Sequence, residues 1–578
     1  MKEIWQKLMR IFDKRQKHQM LGLVILMVIG AALETAATLL VMAVIGVVAS
    51  PETLETNIIL KTVYDFLGLS QRNFSILLMA LLIVSFIAKN AYLFLLWKLT
   101  YAFVYKNQFR TSERLMRNYI KRDYEFFLFA DTAVVQRSIT SDVNNMYGLV
   151  QALLTLATEL MVSLFLVALM FITTPIFCLV ISVLLILVMF VITKVLKPVM
   201  ERSGKENQDF YSGLFKQISQ MVQGIKEVKV TGTEKYFVEE YKKCGNGYVN
   251  AVQRYTLYNN TPKLLIETVT IAGMMGCMIV LLIRGGDIGS QLSALGGLVA
   301  AAYRLLPSAN KINNQLNAIS YFKPFLMNVS DNLIEEIDNK NVDMTFAEPA
   351  DSKLDIKKGI SIKNITYKYP QTERYIFENA DMEIPIGSAV GVVGTSGAGK
   401  TTIVDILLGL LKPENGGVYA DDVNTKDNYR GWLANIGYIP QMIYMLDGTI
   451  RENVAFGVSK EKIDEKRVWE VLEEAHLADY IRKLPDGLDT EIGERGIRIS
   501  GGQRQRIGIA RALYNDPEVL ILDEATSALD NDTEAAIMES INALHGRKTL
   551  VIIAHRLQTI EKCDMVYRVE NGKINREK

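Results

Sequence analysis

The 578-residue sequence predicts an α-helical membrane half of six spans joined to an α/β phosphate-loop half. Three observations carry this prediction. Residues up to about 306 hold long apolar runs, whereas residues after about 355 have the mixed composition of a soluble domain. Gly394-Thr395-Ser396-Gly397-Ala398-Gly399-Lys400-Thr401-Thr402 fits G-x-x-x-x-G-K-[ST] between a strand-like apolar run (389–393) and a helix-compatible segment (402–411). A second strand pattern, Val519 to Leu522, ends in Asp523-Glu524. With 64 Lys and Arg against 63 Asp and Glu, the formal charge of +1 gives no basis for binding nucleic acid. The four cysteines are scattered without a C-x-x-C pair, which fits reduced or buried thiols.

Residues 1–18 place Ile4, Trp5, Leu8, Ile11 and Phe12 on one helix face, with basic residues around the rest, the pattern of an interfacial helix. Residues 19–331 form the membrane domain. Leu21–Ala49 is long enough to cross a hydrocarbon core of about 30 Å and is not the short core of a cleaved leader. Further spans are expected at 74–104, 146–173, 175–199, 264–283 and 288–306. The basic N-terminal flank and the long charged connections at 105–145 and 197–259 assign the starting side to the cytoplasm, and six crossings return the chain there. The outer connections are short except for 50–73, where Ile59, Leu60, Val63, Phe66 and Leu67 predict an amphipathic external helix at about 52–69.

Glu34, Lys89, Glu159, Lys263, Glu267 and Arg304 fall inside these spans, and Lys311 lies near the inner end of the last. A charge at mid-bilayer costs on the order of 2.5–3.5 kcal/mol, so these groups pair or line a cavity. Lys263 and Glu267, four apart, have the spacing to neutralise each other. The cationic set Lys89, Lys263, Arg304 and Lys311 points to a cavity for an anionic substrate. Arg304 and Lys311 are two helical turns apart, on one face, with Pro307 between them.

After a polar linker at 332–354, the soluble domain fills 355–578. In the phosphate loop, glycines let the backbone approach phosphates and the following helix N-terminus supplies positive potential. Lys400 reaches the terminal phosphates, and the Thr401 hydroxyl can ligate magnesium. Asp523 has the place of the carboxylate that holds magnesium in phosphate-loop enzymes, and Glu524 has the chemistry of a general base for the attacking water. Ser500 reads as the cap of a helix running to about Tyr514.

Ile499-Ser500-Gly501-Gly502-Gln503-Arg504-Gln505-Arg506 resembles the signature motif of ATP-binding cassette proteins, with Ile499 in place of the usual leucine. The resemblance implies that Tyr369 stacks on adenine, that Gln441 is the Q-loop glutamine reaching magnesium, that Asp530 belongs to the D-loop and that His555 contacts the γ-phosphate. It also implies that Ser500, Gly501, Gly502 and Gln503 close on the ATP held by a second cassette, so that the working form is a homodimer using ATP and Mg2+. Six spans followed by one cassette resemble an exporter-type half-transporter. Its coupling helices are expected near Asp123–Phe127 and Asp209–Phe215.

A finer resemblance is to the bacterial flippases that move lipid-linked oligosaccharides. It rests on Glu34, the external helix, Lys263 with Glu267, and Tyr303-Arg304-Leu305-Leu306-Pro307-Ser308-Ala309-Asn310-Lys311. It implies a polyprenyl-pyrophosphate-linked glycan as substrate, a bacterial inner membrane, a cytoplasmic cassette, and Arg304, Lys311, Lys263 and Lys89 as the cations that meet the pyrophosphate. Lysines at 89, 263 and 311 keep the charge but not the bidentate fork of arginine. Export of drugs or of other glycolipids is the alternative within the class; outside it stands a non-transporting cassette regulator, against which Glu524 argues.

Overall fold

The computed structural model describes the backbone of residues 1–49, 58–173, 175–283, 288–338, 353–523, 537–539, 541–554 and 560–578. The chain divides into two compact units, one of residues 1–122 and 130–343, the other of residues 123–129 and 344–578.

The first unit is helical. A short helix α1 (Lys2–Ile11) leads into α2 (Lys14–Ala49), the short α3 (Ile58–Leu67) and the long α4 (Gln71–Ile120). Beyond the excursion α5 (Tyr124–Phe129) come α6 (Thr132–Arg137), a π-helical turn at Ser138–Asp142, and α7 (Val143–Thr173). Then follow α8 (Pro175–Gln223), α9 (Ile225–Thr231), α10 (Glu234–Ile283) and α11 (Ile288–Asp338). All six expected spans thus lie within the six long helices. Among the described residues, four of these helices have a stretch long and apolar enough to cross a membrane. Their outer faces carry large apolar side chains, such as Ile83, Ile87 and Phe94 on α4 and Ile186 and Phe190 on α8. That much exposed apolar surface, on helices that satisfy their own backbone hydrogen bonds, suits lipid and not water.

Two expectations change. The apolar stripe of α1 is covered by protein: Ile4, Leu8 and Ile11 are buried, Arg114 Nη1 donates to Ile11 O at 2.8 Å, Lys7 pairs with Asp331 at 2.6 Å and Phe12 packs against Phe103 and Tyr147. Only Trp5 keeps a large apolar group of that face in the open. The stretch Asp209–Phe215 lies within the uninterrupted α8. The chain instead reverses around α9, bracketed by Gly224 and by Gly232, whose φ of 64° ends that helix in the left-handed conformation. Within the stretch expected to form the external helix, residues 58–67 are helical as α3, with Tyr64 edge-on to Phe74 at 5.1 Å while Val63 and Phe66 stay exposed; residues 52–57 of that expectation lie outside the described residues.

The second unit holds two sheets. A four-stranded antiparallel sheet runs in the order β2-β1-β4-β5, from β1 (Gly359–Tyr367), β2 (Phe377–Pro385), β4 (Asn415–Ala420) and β5 (Val423–Asn424). A six-stranded sheet runs β10-β9-β3-β8-β7-β6, from β3 (Ala389–Val393), β6 (Ile436–Ile439), β7 (Val519–Asp523), β8 (Thr549–Ile553), β9 (Met565–Glu570) and β10 (Lys573–Arg576). β3, β7 and β8 are buried along their whole length because both faces are covered. Alternate residues feed two cores, Leu520, Leu522 and Leu550 into one and Val390, Ile521 and Val551 into the other. This is why those strands read as continuous apolar runs.

Candidate nucleotide and substrate sites

The phosphate loop leaves β3, a central strand paired in parallel with β8 and β9, and enters helix α12 (Lys400–Leu407). Gly399 has φ 108°, and a Cβ there would stand 2.8 Å from Ile376 Cγ2, so both conformation and space demand glycine. Gly397, at φ 77°, has open space where a Cβ would go. Lys400 is buried, and its ammonium donates to the loop carbonyls of Gly394 (3.1 Å) and Thr395 (3.2 Å). The lysine charge and the α12 N-terminus therefore converge on a bare backbone cradle, which fits a nucleotide polyphosphate. Thr401 is exposed at the head of α12, while Thr402 is buried and its hydroxyl meets that of Tyr369 at 2.9 Å.

Tyr369 lies two residues beyond β1, half-buried, with its ring edge-on to Tyr367 at 5.4 Å. The bond to Thr402 ties it to the phosphate-loop helix. Asp523 is buried at the end of β7, one strand removed from β3. β6 pairs with β7, matching Ile439 to Leu522, so the exposed Gln441 emerges at the same sheet edge as Asp523. Crevices at the carboxyl ends of parallel strands are where such folds bind ligands. Thr401, Asp523 and Gln441 together supply the hard oxygen donors that magnesium prefers.

Ser500 caps helix α13 (Gly501–Leu513) in a reciprocal capping box. Its Oγ accepts from Gln503 N–H at 3.2 Å, and Gln503 Oε1 accepts from Ser500 N–H at 2.9 Å. Ser500 and Gly501 are exposed and Gly502 half-buried, leaving this helix N-terminus accessible. Glu524, Asp530 and His555 lie outside the described residues; β7 and β8 end at Asp523 and Ile553, in register and just short of Glu524 and His555.

Sequence reasoning missed Asp405. It is buried on α12 one turn beyond Thr401, and burial, with the charge of Asp523 adding to it, pushes its carboxyl up to about 6. The i, i+4 spacing from Thr401 is the signal that would have found it. It also missed how α5 is held: Asp123 pairs with Lys412 at 2.6 Å, and Tyr367 donates to Glu125 Oε1 at 3.2 Å. Burial raises the Tyr124 hydroxyl, with Asp405 and Tyr369 contributing, so the segment 123–129 lies against the phosphate-loop helix.

In the helical unit, Lys311 forms an ion pair with Glu159 at 2.7 Å. Tyr255 and Tyr321 stack at 3.9 Å between the antiparallel helices α10 and α11. Two turns from that stack on each helix, Lys263 is level with Asn313, two residues from Lys311. Lys263 and Glu267 are both exposed. Lys89, on α4, is half-buried over the Phe86 ring at 4.5 Å and belongs to a different helix pair. The Arg304 side chain lies outside the described residues. Asn313 is fully buried, and neither of its amide atoms has a hydrogen-bond partner among the described residues.

A six-helix membrane bundle with a phosphate-loop domain that carries a capped signature helix defines an ATP-driven exporter half. Residues 20–293 match the ABC transporter transmembrane region and residues 377–527 the ABC transporter nucleotide-binding model. The chain belongs to the ABC transporters, as an exporter-type half-transporter whose cassette couples ATP hydrolysis to movement across the membrane. It is 29% identical over 486 residues to the ATP-dependent lipid A-core flippase of Ralstonia nicotianae, covering 80% of this chain and 79% of that one. It is 31% identical over 387 residues to the protein of the same name from Photorhabdus laumondii, covering 66% and 65%. A bacterial Atm1-family ABC exporter with ATP bound shares the fold, with TM-score 0.76 at 22% identity over 97% of this chain and 95% of that one.

Proposed function

We propose that the chain is an ATP-driven flippase moving a polyprenyl-pyrophosphate-linked oligosaccharide from the cytoplasmic to the outer leaflet of a bacterial inner membrane, as a homodimer with its cassettes in the cytoplasm. The supporting observation is that Lys263 and Lys311 come level on adjacent helices α10 and α11, on the helix that also carries Arg304. Lys263 and Arg304, with Lys311 where a phosphate draws it from Glu159, would offer a pyrophosphate more positive charge than one lysine supplies. The exposed Val63 and Phe66 of α3 offer an apolar surface for the lipid tail. Relatives named ATP-dependent lipid A-core flippases support the broader class of lipid or glycolipid export.

In the cassette, Lys400 and the loop amides hold the β- and γ-phosphates of ATP, and Tyr369 carries the adenine. Thr401, Asp523 and Gln441 would hold Mg2+, which when bound would offset phosphate charge. Glu524 takes the proton of the attacking water, and His555 contacts the γ-phosphate. Ser500, Gly501, Gly502 and Gln503 of one protomer, with Asp530 at the interface, close over the ATP of its partner. The test is flipping of a polyprenyl-pyrophosphate oligosaccharide in proteoliposomes, with Glu524→Gln as the hydrolysis-dead control. Flipping by the wild type alone is the expected result. Hydrolysis without flipping would refute the cargo, and assays with lipid A-type glycolipids would then test the neighbouring reading.

A further inference from the structure

We propose that a pocket in the helical unit, at the level of the inner lipid head groups, binds one neutral sugar ring of the cargo; this rests on the lipid-linked-glycan reading above. The cavity holds about 140 Å3 and is walled by Tyr105 and Gln108 of α4, Asn144, Tyr147 and Gln151 of α7, and Phe322 of α11. Its depth follows from the sequence: Val104, which also lines it, closes the second expected span, and Met146 opens the third. A glycan joined to the membrane through pyrophosphate has its first sugar at this boundary.

The lining selects the chemistry. No lining residue carries a charge, so the pocket has nothing to neutralise a phosphate or a uronate. It is rich in side-chain amides, which both donate and accept, as sugar hydroxyls require. Gln108 Nε2 donates to Asn144 Oδ1 at 3.2 Å, which leaves Gln108 Oε1 and the Asn144 amino group facing outward bonds. The Gln151 side chain has no hydrogen-bond partner among the described residues. The accessible rings of Tyr105 and Phe322 take the C–H face of a pyranose, while the buried Tyr147 forms the floor. The volume, on the scale of the ~150 Å3 cavity that accepts benzene, is enough for one face of a single sugar and not for an oligosaccharide.

The walls are fixed in place. Tyr147 is fully buried, its hydroxyl meets Thr111 at 2.8 Å, and its ring stacks on Phe12 at 6.3 Å. A Cβ at Gly148 would come within 3.1 Å of the Phe322 ring, so glycine lets that ring close the pocket.

ATPase stimulation of the full-length protein in nanodiscs tests this, using a polyprenyl pyrophosphate that carries one N-acetylhexosamine and the same lipid without sugar. For the wild type, the half-stimulating concentration is expected to be about fivefold or more lower for the glycosylated lipid. Gln151→Leu and Asn144→Leu are each expected to raise that concentration about five- to tenfold and to leave that of the bare lipid within about twofold. Equal values for the two lipids in the wild type would overturn the pocket, whether or not the variants fold. Equal shifts for both lipids in the variants would do the same. Stimulation by neither lipid would refute the lipid-linked-glycan reading itself, and the pocket with it.

Discussion

Lys311 is asked to do two things, to neutralise Glu159 and to meet a pyrophosphate, and a double-mutant cycle separates them. Glu159 is buried in α7, with its side chain 10% exposed, while that of Lys311 is 59% exposed, and their charged atoms are 2.7 Å apart. At an effective dielectric of about 20, two unit charges 4 Å apart attract by about 4 kcal/mol, and Lys311 keeps much of its hydration, so its own burial cost is small. Truncating one member of a fully buried pair costs about 3–5 kcal/mol; the exposure of Lys311 reduces the expected loss for Lys311→Ala to about 2–3 kcal/mol. Glu159→Gln leaves a hydrated ammonium and costs less than about 1 kcal/mol. The double variant is expected to match Glu159→Gln, a coupling of about 2 kcal/mol. Thermal unfolding in detergent reads this as a loss of several degrees in Tm for Lys311→Ala that is recovered in the double variant. A coupling below about 0.5 kcal/mol would refute the pairing argument. Flipping divides the roles: if Lys311 also meets substrate, the double variant regains stability but not transport, and full recovery of transport would remove Lys311 from the anchor set.

Other perturbations probe other parts of the argument. Gly399→Ala forces a Cβ to 2.8 Å from Ile376 at a φ of 108°, and is expected to lower ATP affinity at least about tenfold in a fluorescent-nucleotide titration; unchanged affinity would contradict the cradle geometry. Asn313→Leu removes a buried amide without partners among the described residues at similar volume, and is expected to stabilise the bundle by about 1–2 kcal/mol, so a lower Tm would show that the amide is satisfied in the working protein. Lys460, through its hydrogen bond at 2.8 Å, and the Thr449 cap depress the Glu452 carboxyl to about 2. Because the folded value lies below the unfolded one, this stabilisation is complete above about pH 4.5 and is lost as pH falls towards 2. Solvent screening limits it to about 1 kcal/mol, and Glu452→Gln should flatten that part of the stability profile in denaturant titrations.

The nucleotide site was legible because it is local. One strand, one loop and one helix carry the phosphate cradle, and the capping box at Ser500 is written in four consecutive residues. What escaped depends on contacts between distant residues. Nothing near Lys311 announces Glu159, 152 positions away, and the stripe of α1 gives its amphipathicity but not whether lipid or protein covers it. The second coupling turn, expected at 209–215, lies instead around the glycines at 224 and 232, because nothing between Pro175 and Gln223 breaks the helix. Asp405 stayed hidden because a carboxylate on an amphipathic helix is ordinarily solvated, and only the fold places it beside Asp523.

The placement of α5 constrains how the cassette can act on the membrane. Residues 123–129 belong to the compact unit of the cassette, whereas Arg122 and Ala130 on either side belong to the helical unit. Any displacement of the segment is therefore carried by two covalent links, into the end of α4 and into the start of α6. α6 runs into a buried joint, where Arg137 pairs with Asp142 at 3.2 Å and donates to Gln208 O, and where Asn328 Nδ2 donates to Asp142. That joint ties α6, the π-helical turn before α7, α8 and α11 together, which offers a push at α5 a connected route to α11, the helix with Arg304 and Lys311. The exposed Asp123–Lys412 pair contributes under about 1 kcal/mol to stability, yet it sits at the entry to this path. Asp123→Lys is accordingly expected to keep ATP hydrolysis and reduce lipid moved per ATP, and Asp123→Lys with Lys412→Asp to restore it. Equal transport per ATP in the single variant and the wild type would show that the force takes another route.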